Sequence, residues 1–122
     1  MIKTESIGMV ETFIPSTTLA YIHRFVQMDG TYAGAGEYSI GVLQQPGVTD
    51  IPAPYAINGI ILIEASGLIN VGDSIICASQ GKAAAATTFS ESDGFKTAEA
   101  NIQGIALDAA TTDGDLIRML VK

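Results

Sequence analysis

Thirteen glycines divide this sequence into apolar runs too short to pair as helices. The best-patterned runs are Glu37–Leu43 (EYSIGVL), Asn58–Ala65 (NGIILIEA), Ser74–Ala78 (SIICA), Ile102–Asp108 and Asp115–Lys122. Each has the length of a strand. In the first, Tyr38, Ile40 and Val42 fall on one face under a period of two. In the last, Ile117, Met119 and Val121 share one face, while Leu116, Arg118, Leu120 and Lys122 take the other. Gln44–Gly47 is a turn cluster. Ser79–Lys82 predicts a hairpin turn, with Lys82–Thr88 as its return limb. Helix signals are few. Thr17–Gln27 (TTLAYIHRFVQ) suits a short helix capped by Ser16 or Thr17 and suits a strand equally. Thr97–Ile102 allows a turn and a half. The chain is therefore expected to be all-β: a barrel or sandwich of short strands with at most one or two short helices.

One local device occurs twice. Gly59–Ala65 (GIILIEA) is echoed by Gly104–Ala110 (GIALDAA). Each run is followed by a Gly-Asp pair and another apolar strand, Gly72-Asp73-Ser74-Ile75 and Gly114-Asp115-Leu116-Ile117. The intervals differ, which excludes a solenoid. In each pair Gly supplies a positive φ and Asp fixes the turn through its side chain. Gln27–Gly36 and Pro46–Pro54 read as loops. Pro52 and Pro54 favour an extended, unpaired segment that lies on a neighbour. Residues 1 to about 15 lack a pattern and are expected to order on contact. These features divide the chain into an N-terminal arm and loop-rich segment, 1–40, and a β-domain, 41–122. The strand Asp115–Lys122, with no later segment to cover it, is expected to leave an open edge for another molecule.

A length of 122 residues suits one domain with a single core. Hydrophobic residues reach 48% and charged residues only 16%, which predicts an apolar-leaning surface of the kind that marks contacts. The net charge of −7 argues against nucleic acid and anionic membranes, because Lys3, Arg24, Lys82, Lys96, Arg118 and Lys122 are scattered. A lone cysteine, Cys77 in SIICAS, forms no intrachain disulfide and reads as a buried, inert thiol. MIKTESIGMV has no signal-peptide pattern, and Ile57–Leu68 is too short to span a bilayer.

Chemistry-bearing residues are sparse. The single His23, with Tyr21 and Phe25 at period two, reads as one member of a strand face. One histidine and one cysteine do not make a zinc site. Asp108, Asp113 and Asp115, and the pair Glu91 and Asp93, read as turn-forming and solubilising rather than acid–base or calcium-binding. Gly30, Gly34 and Gly36 match no nucleotide loop, and there is no nucleophile elbow. Tyr21, Tyr32, Tyr38 and Tyr55 are candidate packing or interface anchors. A carrier domain would need an exposed hairpin lysine, and Lys82 in QGKAA lacks the expected flanks. The reading is of a non-enzyme with no catalytic, cofactor-binding or metal-binding residues and no cofactor.

Asn70-Val71-Gly72-Asp73-Ser74-Ile75, Gly81-Lys82-Ala83, Ile102–Ala110 and Gly114–Val121 together resemble the small tailed-phage capsid decoration proteins, also called head-stabilising or cement proteins. The likeness covers roughly 59–122. It implies a compact β-barrel or β-tulip-like domain and a structural virion protein. Such a protein binds the outer surface of a phage capsid and stabilises it, as a homotrimer. Its partners would be the major capsid protein and copies of itself, with no nucleic acid and no membrane. Its place would be the virion surface, after synthesis in the cytoplasm of a bacterial host. A head-fibre or tail component with the same β-domain is the alternative.

Overall fold

A computed structural model describes residues 3–86 and 101–121. Thr87 and Thr88 of the expected return limb, the acid pair Glu91 and Asp93, and the expected helical turn from Thr97 lie outside the described residues, as does Lys122. The elements are β1 (Ser6–Ile7), β2 (Val10–Phe13), β3 (Phe25–Val26), β4 (Gly41–Leu43), β5 (Ala53–Ala56), β6 (Gly59–Glu64), β7 (Ser74–Cys77), a 3₁₀ turn (Ser79–Gly81), β8 (Ala83–Ala85), β9 (Gly104–Ala106) and β10 (Leu116–Val121). The all-β expectation holds.

The strands form two sheets with antiparallel ladders. One has six strands in the order β1-β6-β10-β9-β7-β8, the other four in the order β2-β5-β4-β3. Neither closes into a barrel, although Ser66 reaches from the end of β6 to bond the Ala83 carbonyl of β8 through its N–H (2.8 Å) and hydroxyl (3.0 Å). The sheets meet at a shared corner. Residues 6–13 run antiparallel to 53–60, pairing in the larger sheet as β1 with β6 and in the smaller as β2 with β5. The bend falls at Gly59, whose φ is +98° and where a Cβ would lie 2.4 Å from the Ser6 carbonyl oxygen. Glycine is the residue that allows both conditions.

Alternation places the core. Ile61 and Ile63 of β6, Ile75 and Cys77 of β7, and Ile117 and Met119 of β10 point inward and are fully buried. They meet Phe25, Val42 and Ala56 from the smaller sheet. That sheet is apolar on its second face too. Val26, Leu43 and Ala53 turn away from the first cluster and pack with Phe13 and Leu19. Adjacent buried residues such as Phe25-Val26 and Val42-Leu43 are what a strand covered on both faces requires.

Several expectations are corrected. The strand near the end of the chain is not an edge. β10 lies inside the six-stranded sheet, with all six residues paired to β6 and Met119 and Leu120 also paired to β9. Among residues 3–40, β1, β2 and β3 are woven into the sheets, and Phe13, Leu19, Phe25 and Val26 are buried. Pro54 is not in an unpaired loop. It sits in β5 opposite Thr12 and accepts a bond from Gln44 N–H at 3.0 Å. It faces β4 one residue past that strand's end, where no proline N–H is needed. Thr17–Gln27 supplies only β3 and an isolated bridge from Leu19 to Gly47. The strand expected at Glu37–Leu43 shortens to Gly41–Leu43, and Tyr38 is left 70% exposed.

Candidate interaction surface

The two Gly-Asp pairs fix how the larger sheet is presented. Gly72 and Gly114 have φ of +90° and +96°. Asp73 accepts the Asn70 N–H at 2.8 Å, and Asp115 accepts those of Thr111 at 2.9 Å and Thr112 at 3.2 Å. These bonds hold the Asp115 carboxyl below its ordinary range. Each turn then braces the other copy of the device. Gly72 N–H donates to the Ala106 carbonyl while Ala106 N–H donates to that of Asp73. Gly114 N–H donates to the Ala65 carbonyl while Ala65 N–H donates to that of Asp115. Ile69 and Ala110 close the set with a reciprocal pair.

On the sheet so fixed, the face away from the core carries an apolar row. Ser6, Ile60, Leu120, Ile105 and Ser74 stand opposite one another across β1, β6, β10, β9 and β7. Directly opposed residues share a face, and these three large side chains are only half-buried or less well covered than the core. Leu62 lies beside the row, opposite Arg118. The charge on that residue is spent locally. Arg118 Nε and Nη2 each donate to Asp108 at 3.0 Å, and its N–H adds a third bond at 2.9 Å. The guanidinium bonds chiefly hold the Asp108 carboxyl well below the usual carboxylate range, and the same pairing raises Arg118. The middle of this face is thus apolar without an unpaired charge, the composition of an interface core.

A second cluster joins the sheets at one end. Arg24, 8% exposed, makes a two-pronged pair with Glu64 at 3.0 and 3.2 Å. Lys82 lies 3.5 Å from the same carboxylate and 2.7 Å from Asp113. The Arg24 guanidinium stacks on Tyr21 at 4.3 Å. The Tyr32 hydroxyl both accepts from Tyr21 N–H and donates to its carbonyl, each at 2.8 Å. Burial raises the Tyr32 hydroxyl pKa. Residues 24, 64, 82 and 113 share no sequence spacing, so only the fold brings them together.

The remaining candidates separate. His23 is not part of a strand face. It has φ of +62° in a loop, donates its N–H to Leu43 and accepts from Glu64 N–H, linking the two sheets. Its Nδ1 lies 3.8 Å from Glu5 without a hydrogen bond. Cys77 is buried, and loss of hydration with the nearby Glu37 charge pushes its thiol up to about 12. Lys82 is tied to Asp113, whose hydrogen bond raises it, and does not stand free on a hairpin tip. Tyr55 packs edge-on against Phe13 at 5.5 Å. Among the described residues no three of His, Cys, Asp and Glu gather as metal ligands, and no helix is long and apolar enough to cross a membrane.

No family model and no curated protein matches the sequence. The fold is similar to the crystal structure of the head fiber gp8.5 N base of bacteriophage phi29, with a TM-score of 0.65 at 16% identity over 93% of each chain. What the likeness shows is a shared arrangement of strands along almost the whole of both chains.

Proposed function

We propose that this chain is a non-enzymatic structural part of a phage virion, mounted on the outside of the head. The observation that carries the reading is the fold shared with a head-fibre base over nearly the full length of both chains. That likeness favours a fibre-base role over a plain decoration role. Both place the protein on the major capsid protein and both suit a homotrimer. The surface supports it physically. The row Ile60, Leu120 and Ile105 is uncharged at its centre, so copies of a chain with net charge −7 can meet there without like-charge repulsion. Repeated weak contacts over a shell then add through avidity. Capsid stabilisation follows as the mechanical consequence of such mounting.

The test is co-sedimentation of the purified protein with bare heads of the phage that encodes it, alongside its mass in solution. Pelleting with heads and a trimeric mass are expected. A monomer that stays in the supernatant overturns the reading. Microscopy of particles made with and without the protein distinguishes the two roles: loss of projecting fibres marks a fibre base, and loss of a surface coat marks decoration.

A further inference from the structure

Two segments meet at one end of the larger sheet. Ala65–Asp73 leads from β6 to β7, and Ala106–Asp115 leads from β9 to β10. Six backbone bonds join them. Gly72 N–H donates to the Ala106 carbonyl at 2.8 Å, and Ala106 N–H to that of Asp73 at 2.9 Å. Gly114 N–H donates to the Ala65 carbonyl and Ala65 N–H to that of Asp115, both at 2.8 Å. Ile69 and Ala110 donate to each other's carbonyls at 3.0 and 2.9 Å. Exchanging Ala65 with Ala106, Ile69 with Ala110, Gly72 with Gly114 and Asp73 with Asp115 turns this set into itself. The bonding thus has a local twofold relation. Its matched pairs are not those of the sequence echo, which sets Ala65 against Ala110. Matched residues also agree in surroundings: Ala65 and Ile69 are 0% exposed, Ala106 and Ala110 1%. Each aspartate carboxylate accepts backbone N–H groups of its own turn, from Asn70 in the first and from Thr111 and Thr112 in the second.

We propose that the two segments are one latch, which opens and closes as a unit and apart from the smaller sheet. Each of the six bonds spans both segments, so when one segment leaves, the other loses all six at once. Ala65, Ile69, Ala106 and Ala110 are buried, and a buried backbone group without a partner is strongly disfavoured. A half-open latch is therefore the least stable arrangement. Each turn fixes the geometry of bonds that the opposite segment needs, so a change in one turn is felt in both. All six partners belong to the connections of the larger sheet, and opening them breaks no bond of the smaller one. Asp115 leads directly into β10, which carries Leu120 of the apolar row. The latch thus decides whether that strand is held from its first residue.

The test is native-state hydrogen exchange of the full chain, read residue by residue by NMR. Asp73→Ala removes the acceptor of the Asn70 N–H and leaves the second turn untouched. It should speed exchange at Gly114 and Ala65 by the same factor as at Gly72 and Ala106, about fivefold. The amides of Ile40 and Leu43, bonded to Val26 and Arg24 in the smaller sheet, should keep their rates. Asp115→Ala should give the mirror result, with Gly72 and Ala106 speeded as much as Gly114 and Ala65. If either alanine variant fails to fold, Asp73→Asn and Asp115→Asn, which keep a side-chain acceptor, allow the same comparison at a smaller factor. Acceleration confined to the turn that carries the substitution would show two independent turns and overturn the proposal. Equal acceleration at Ile40 and Leu43 would overturn it as well, because the opening is then that of the whole domain.

Discussion

At the scale of single residues, the Gly-Asp device carries the most consequence. No atom lies within 4 Å of a Cβ built on Gly114, so only its φ of +96° demands glycine. Gly114→Ala should cost about 1–2 kcal/mol in urea unfolding, and Gly114→Asn less, since Asn tolerates this region better. Asp108 and Asp115 predict an acid limit. Both titrate below the reference value of 3.8 when folded. Between the folded and reference values the unfolded chain holds more protons, so acid favours unfolding. Their contribution is complete above the reference value and is lost as pH falls through the folded ones. The unfolding midpoint should therefore drop steeply below about pH 4, and Asp108→Asn and Asp115→Asn should flatten that drop. Cys77 should resist alkylation at neutral pH until the chain unfolds, because its thiolate is suppressed and covered. The turns were legible in the sequence because Gly and Asp act on their own neighbours. The meeting of Arg24, Glu64, Lys82 and Asp113 was not, because its partners arrive from separate elements.

At the scale of elements, the larger sheet was more readable than the smaller. β6, β7 and β10 alternate between a dry and a wet face, so a period of two exposes them. β3 and β4 are buried on both faces and are only two and three residues long. Their pattern is a pair of adjacent apolar residues, at the end of a longer expected strand (Glu37–Leu43) for β4 and at the end of a segment that suited helix and strand equally (Thr17–Gln27) for β3. Neighbours in the ladder, too, cannot be read from alternation, which is why β10 looked like a margin. Its interior position gives its two faces unequal weight. Met119→Ala empties a fully buried site beside Ile61 and Ala106 and should cost about 2–5 kcal/mol by urea unfolding. Leu120→Ala, on the half-buried outer face, should cost about 1 kcal/mol or less.

For the whole molecule, the fold presents a sheet face whose central row, Ile60, Leu120 and Ile105, is uncharged and whose neighbouring Arg118 is paired with Asp108. If copies meet through the face, Leu120→Lys should lower the mass in solution toward that of one chain while the folded circular-dichroism spectrum persists, because a lysine there sets identical charges against one another. An unchanged oligomer would remove the face from the assembly. The order in which the strands are made adds a further constraint. β10 emerges from the ribosome roughly fifty residues after β6, its main partner, and then inserts beside β9 as well. Until it arrives, Ile61 and Ile63 have no ladder on that side. A nascent chain therefore holds an unfinished sheet and has to be shielded from its neighbours on the same messenger. Translation rate and holding chaperones, more than the final free energy, would then decide how much protein survives to reach its destination.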